Sequence, residues 1–237
     1  DNSYLVVIED PEIQGLRLEL KALENRANEL SDEKVECERV INNFNSEYML
    51  RLGSLIEEIL KLRAELESSS TNEKARSEYE SFHKNHQQQL KDLPEHLSVD
   101  EKMILKSAYR RASCLCHPDK LVGEFKEKGE EIFKELNDAY RRQNLKMVEV
   151  ILARLESGLE MNVASDSIDD IALLQKRIAV LREHISTLED EINPLRNSEV
   201  FKRIQSIENT FEYFSELRES LELELAQLRR EWRMSVS

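Results

Sequence analysis

Three cations followed by a His-Pro-Asp tripeptide carry the strongest chemical signal in the chain. Lys102, Lys106 and Arg110 recur at steps of four, which places them on one face of a helix. The tripeptide occupies positions 117–119, shortly after this stretch. Because proline lacks an N–H and restricts the residue before it to an extended backbone, the helix must end there. We therefore expect the carboxylate of Asp119 in a loop, available for a charge-assisted hydrogen bond to a cationic partner.

Helices are predicted on both sides of the tripeptide. Ser98 and Glu101 have the spacing of a capping box, which predicts a helix start. The apolar side of this helix consists of Ile104, Leu105, Ala108, Tyr109 and Ala112. A second helix is predicted from about Glu124, with one apolar stripe formed by Phe125, Ile132, Phe133, Leu136 and Tyr140. A shorter apolar helix is predicted after Asn144.

The segment AYRRASCLCHPDK at residues 108–120, followed by FKELNDAY at 133–140, resembles a J-domain of the DnaJ family. The resemblance covers residues 95–158 and implies an antiparallel hairpin of two helices joined by the tripeptide loop. It also implies that the loop and the basic helix dock on a DnaK-type chaperone ATPase and stimulate its ATP hydrolysis. The partner-binding residues that the resemblance implies are His117, Pro118, Asp119, Lys120, Lys106, Tyr109, Arg110 and Arg111. Lys102 is added to this set because it lies on the same cationic face.

The segment also departs from the family pattern next to the tripeptide. Leu115 stands where the family usually has a basic residue, and Cys116 stands where it usually has an aromatic one. Ala112 and Cys114 replace larger aliphatic residues. The intact tripeptide favours a co-chaperone that targets the ATPase to a specific client protein. The departures favour the alternative, a coiled-coil scaffold or interaction protein with a degenerate, inactive J-like hairpin.

Other chemistry has less support in the sequence. Cys114, Cys116 and His117 are close together, but their spacing matches none of the usual zinc patterns, so we expect the cysteines to pack inside the helical hairpin. A metal-dependent enzyme built on this pair is the weakest alternative. Four histidines are expected to be isolated surface residues: His83, His86, His96 and His184. Without a phosphate loop or a nucleophile elbow, the sequence predicts no catalytic residues, no metal and no cofactor.

Heptad spacing dominates the sequence on both sides of the J-like segment. The N-terminal seam includes Leu16, Leu20, Leu23, Ala27, Leu30, Cys37, Ile41, Phe44 and Tyr48, with a polar break at Lys34 and a stutter before Leu52. The C-terminal seam includes Ile171, Leu174, Ile178, Leu181, Ile185, Leu188, Ile192 and Leu195. One final helix, with Arg218 in its seam, is predicted after Ser198. Such long stripes need partner helices, which predicts coiled-coil arms.

The predicted fold class is all-α, with a J-domain-like antiparallel helical hairpin between two long coiled-coil arms. The segments are an extension (1–15), an N-terminal arm (16–67), a linker with a connecting helix (68–94), the J-like module (95–158) and a C-terminal arm (159–237). The first arm runs toward the module and the second runs away from it, which favours antiparallel pairing within one chain. The alternatives are a helical hairpin at Pro194 and a homodimer through the arms.

Charge and composition exclude several classes of function. The net charge of the 237 residues is −14, which argues against binding to nucleic acid and to anionic membranes. Residues 95–158 are neutral, with 12 Lys and Arg against 12 Asp and Glu, so the rest of the chain carries the excess negative charge. Three cysteines form no disulfide framework, which predicts a cytoplasmic setting. The short apolar run at residues 4–8 has no assigned role.

Overall fold

The computed structural model describes residues 10–66, 72–157 and 168–236. The chain in these ranges contains helices and no strand, which confirms the all-α prediction. The helices are α1 (Pro11–Leu66), α2 (Asn72–Lys91), α3 (Val99–Cys116), α4 (Glu124–Arg141), α5 (Leu145–Glu156), α6 (Ile171–Asn197), α7 (Glu199–Ser206) and α8 (Thr210–Val236), with a 3₁₀ turn at Pro118–Lys120. The apolar run at 4–8 and the polar linkers expected near 68–71 and 158–167 lie outside the described residues.

The chain divides into two compact units, each built from separate segments. The first unit combines Asp1–Arg39 with Glu95–Ser198, and the second combines Val40–Pro94 with Glu199–Ser237. Helix α1 contributes its N-terminal half to the first unit and its C-terminal half to the second.

Helices α3, α4 and α5 of the first unit share one apolar core. The Ser98 hydroxyl accepts from the Glu101 N–H, and the Glu101 carboxylate accepts from the Ser98 N–H, which confirms the predicted capping box. Tyr109 and Tyr140 stack within this core with ring centroids 4.1 Å apart. The fully buried aliphatic side chains around them are Leu105, Ala112, Leu136, Val148 and Ile151.

Helices α1 and α6 of the first unit pack through their heptad seams, with Leu20, Ala27 and Leu30 against Leu174, Ile178, Leu181, Leu188 and Ile192. Three ion pairs flank this seam at heptad steps on both helices: Glu19–Arg182, Arg26–Glu189 and Glu33–Arg196. Because residue numbers rise together along both helices, α6 runs parallel to α1. The expected antiparallel pairing of the arms is therefore wrong for this pair. Its premise fails because α6 begins near the start of α1, where Arg17 donates to the Ile168 carbonyl.

Two details of the C-terminal seam also differ from expectation. Helix α6 continues through Pro194 and ends at Asn197, so this proline forms no hairpin. The predicted single final helix is divided into α7 and α8 at residues 207–209. Asn209 explains the break, because its side chain accepts from the N–H groups of Phe211 and Glu212 and so caps a new helix.

The second unit joins the rest of α1 to α2 and α8. Phe44 lies 5.6 Å from Phe214 between ring centroids, and Phe214 is almost completely buried. On α2, His86 is also buried and lies 2.9 Å from a carboxylate oxygen of Glu57 on α1. This burial corrects the expectation that His86 is an isolated surface residue.

Candidate partner-binding site

The tripeptide forms a short turn of its own between α3 and α4. His117 ends α3 with an extended backbone (φ −61°, ψ 121°), as expected for a residue that precedes proline. Its Nδ1 accepts from the Asp119 N–H at 3.3 Å, and the Leu121 N–H closes the 3₁₀ turn onto the Pro118 carbonyl at 3.2 Å. Gly123, at φ 60°, then provides the left-handed residue that starts α4.

His117 anchors this turn inside the module rather than at its surface. The imidazole is 1% exposed and meets the Phe133 ring edge-on, with centroids 4.7 Å apart. Burial lowers the pKa of His117 to about 4, although the nearby Asp119 carboxylate opposes this shift. The side chain is therefore neutral near pH 7 and holds the turn in place. Of the tripeptide, only Pro118 and Asp119 reach the partly exposed surface, followed by Lys120.

Asp119 is held by two side chains of α6. Its carboxylate lies 2.8 Å from His184 Nδ1. The Arg177 guanidinium donates to the main-chain carbonyls of Asp119 at 2.9 Å and Leu121 at 2.8 Å. Neither α6 residue was predicted from the sequence to belong to this site, and His184 was expected to be an isolated surface residue. The signal that points to them is their spacing, since residues 177 and 184 share one heptad position beside the buried seam.

Part of the predicted basic face is paired within the first unit. Lys106 lies 3.5 Å from a carboxylate oxygen of Glu36 on α1, and Arg111 pairs with Glu156 on α5. Lys102 and Arg110 are exposed on α3. Tyr109 is not on this surface, because its ring is buried in the core and its hydroxyl donates to the Asn137 side chain at 2.9 Å. It therefore supports the helix rather than lining a docking face.

Two acidic residues of α1 that were not among the predicted site residues face the module. Asp32 accepts from the Ser113 hydroxyl at 2.6 Å. Burial raises the pKa of Asp32 to about 6, and the Ser113 hydrogen bond and the positive charge of Arg110 only partly offset this shift. Glu36 accepts from the Tyr140 hydroxyl at 2.6 Å.

The electrostatics of Glu36 differ from those of Asp32. Burial alone would raise the pKa of Glu36, but hydrogen bonds from Arg39 and Tyr140 outweigh it and lower this pKa to about 2. Glu36 is therefore ionised at neutral pH, and it is the group that Lys106 approaches.

The cysteines near the tripeptide occupy different environments. Cys116 is buried in the core, and burial raises the pKa of its thiol to about 12. Cys114 is exposed, and its sulfur lies 3.6 Å from Lys120 Nζ. Leu115 is 42% exposed. Within the described ranges, no group of three or more His, Cys, Asp and Glu side chains is arranged to hold a metal ion.

Comparisons with known proteins identify no relative of this chain. No protein-family model, curated protein or solved structure matches the chain. The likeness to a J-domain therefore rests on the residues quoted above and remains a hypothesis. In the part of the chain that the structure describes, no helix has the length and apolar character of a membrane span.

Proposed function

We propose that this protein is a J-domain co-chaperone that docks a DnaK-type chaperone ATPase and stimulates its ATP hydrolysis. The observation that carries the proposal is the tripeptide turn between α3 and α4, anchored by the buried His117. A proline-bounded turn with an internal anchor keeps the Asp119 carboxylate in one position, which suits a charge-assisted bond to an arginine of the partner.

The surface around the turn supports the same proposal. Lys102 and Arg110 are exposed on α3, and Lys120 is partly exposed next to the tripeptide. Cations in this arrangement would steer the module toward an acidic partner surface. The paired helices outside the module would bring the ATPase to one client protein, in the cytoplasm. Neither nucleic acid nor a membrane is part of this proposal.

An ATPase assay with purified DnaK from the source organism tests the proposal. We expect the protein to increase ATP hydrolysis and Asp119→Asn to abolish the increase, because the amide keeps the size of the side chain and removes its charge. Asp100→Asn is the matched control, since Asp100 lies at the exposed start of α3, away from the tripeptide. No stimulation by the wild-type protein at saturating concentration would refute the co-chaperone function.

A second candidate is a scaffold in which the tripeptide has only a structural role. The contacts of Asp119 and its neighbours with His184 and Arg177 favour this candidate, because they give the loop a partner inside the chain. In a scaffold, Asp119→Asn would lower stability and have no effect on any ATPase. Thermal unfolding beside the ATPase assay separates the two candidates.

A further inference from the structure

Helix α6 binds the tripeptide loop, and one of its contacts is with the Asp119 carboxylate, the group that a partner would use. Arg177 donates to the carbonyls of Asp119 and Leu121, and His184 contacts the Asp119 carboxylate, which is 17% exposed. We call these contacts of Arg177 and His184 with residues 119–121 the clasp. An external arginine would compete with His184 for this carboxylate, because His184 already contacts Oδ2 and a two-pronged arginine bond uses both oxygens of a side chain that is mostly buried.

Helix α1 engages the basic helix of the module in the same way. Glu36 lies 3.5 Å from Lys106, and Asp32 contacts the same helix at Ser113. The Ser113 hydroxyl donates to Asp32 and fixes this side of α3 against α1. Cations of α6 therefore face the tripeptide carboxylate, while carboxylates of α1 face the basic helix.

This pattern has the charge complementarity expected of the ATPase surface itself. A J-like module needs an acidic surface for its cations and a cation for its aspartate. Helices α1 and α6 supply both, and their own seam and flanking ion pairs hold them side by side. The two helices thus contact Lys106 and the Asp119 carboxylate from within the chain, while Lys102 and Arg110 of the same face stay exposed.

We propose that the clasp is autoinhibitory: α6 competes with the ATPase for the tripeptide, and docking requires the loop to leave Arg177 and His184. This inference rests on the proposed co-chaperone function and adds its regulation. When only the open fraction of a protein can bind, the apparent Kd rises by the inverse of that fraction. The clasp therefore weakens docking without altering the residues that dock.

The clasp also has features of a contact that can open. The His184 side chain is 40% exposed, so solvent can take over its hydrogen bond to Asp119. Nε of Arg177 is buried and has no hydrogen-bond partner among the described residues. A buried donor without a partner disfavours the closed state, and opening would hydrate it. None of the clasp residues belongs to the apolar cluster between α1 and α6.

The test compares two double variants of α6 in the full chain. Arg177→Ala/His184→Ala removes the clasp, whereas the control Arg182→Ala/Arg196→Ala removes two cations that pair with α1 away from the tripeptide. Binding to purified, ATP-bound DnaK from the source organism and the stimulated ATPase rate are measured at subsaturating concentrations. Hydrogen exchange of the Lys120 and Leu121 amides reports loop opening independently of any partner.

We expect the clasp variant to lower the apparent Kd by about tenfold, to stimulate more at equal concentration and to exchange faster at residues 120–121. The control should behave like the wild type. Equal stimulation by the wild type and the clasp variant would overturn autoinhibition and leave the co-chaperone function intact. Equal activation by the control would overturn the assignment to Arg177 and His184. If no protein binds DnaK, the proposed function fails, and the inhibitory role fails with it.

Discussion

Each of the two units holds a carboxylate against histidine, but the surroundings differ. In the second unit, Glu57 on α1 accepts from His83 and His86 of α2 at 2.7 and 2.9 Å, and the His86 side chain is 5% exposed. In the first unit, Asp119 lies in a turn, and its partner His184 is 40% exposed. The Glu57 contacts are part of the packing of two helices. The Asp119 contact joins a loop to a helix, α6, that already packs against α1 through its apolar seam.

A glycine accounts for much of the difference. A Cβ at Gly53, one turn before Glu57, would lie 2.3 Å from Nε2 of His86. The absence of a side chain at this position therefore lets the imidazole lie directly against the α1 backbone. The comparison shows that the same chemical pair can be buried between two helices or half-exposed beside a loop, depending on what surrounds the imidazole.

The largest expected effect comes from filling the space that His86 occupies. Gly53→Leu should destabilise the second unit by about 1–3 kcal/mol, because the buried imidazole must move and its bond to Glu57 is strained or lost. Gly15→Leu is the matched control, since a Cβ there meets no atom within 4 Å and helix propensity should make it neutral or stabilising. Urea unfolding followed by circular dichroism measures both, and equal midpoints would refute the packing role of Gly53.

The pKa values of two carboxyl groups of α1 extend the comparison, because Glu57 is bound by histidines and Asp32 by hydroxyl and amide groups. Burial acts to raise the pKa of Glu57, but hydrogen bonds from His86 and His83 outweigh it and lower this pKa. Asp32 instead accepts from the Ser113 hydroxyl at 2.6 Å and from the Asn28 amide at 3.3 Å, and burial raises its pKa from 3.8 to about 6. A carboxyl group with a raised pKa in the folded state contributes stability below about pH 4 that is lost as the pH rises through about 6.

At each pH, the effect of Asp32→Asn is the free energy of unfolding of the variant minus that of the wild type. This difference should be more favourable at pH 7 than at pH 4 by on the order of 1–2 kcal/mol. The asparagine Oδ1 can still accept from Ser113, so the packing of α3 on α1 is preserved. Denaturant midpoints at the two pH values measure this difference. A stability difference that does not change with pH would show that the Asp32 carboxyl group titrates normally in the folded state.

The contrast between local and tertiary features decides what the sequence could predict. The capping box at Ser98 and the helix end before Pro118 follow from residues a few positions apart, and the structure has both. The seams specify which faces of α1 and α6 are buried, but a heptad pattern is compatible with either direction of the partner helix. The parallel direction becomes visible only in the pairing of flanking charges, such as Glu19 with Arg182.

The clasp could not be predicted from the sequence for the same reason. His184 lies on a helix among polar residues, so nothing within a few positions of it indicates a partner, and Asp119 is 65 residues away in sequence. Likewise, the burial of His86 depends on Gly53 of another helix. The partners of such histidines cannot be predicted from local spacing, because they are distant in sequence. The burial of Tyr109, in contrast, agrees with its position on the apolar side of a predicted helix.

The smallest expected effect is on stability when the exposed imidazole of the clasp is removed. His184→Ala should change the free energy of unfolding by less than about 0.5 kcal/mol, because solvent replaces a partly exposed contact. His86→Ala, the corresponding change in the second unit, should cost about 1–3 kcal/mol, because it leaves a cavity and an unpaired Glu57 oxygen. Urea unfolding of the two single variants measures both values. If His184→Ala were as destabilising as His86→Ala, the clasp would be a structural contact like that of Glu57, and the tripeptide loop would not be free to open.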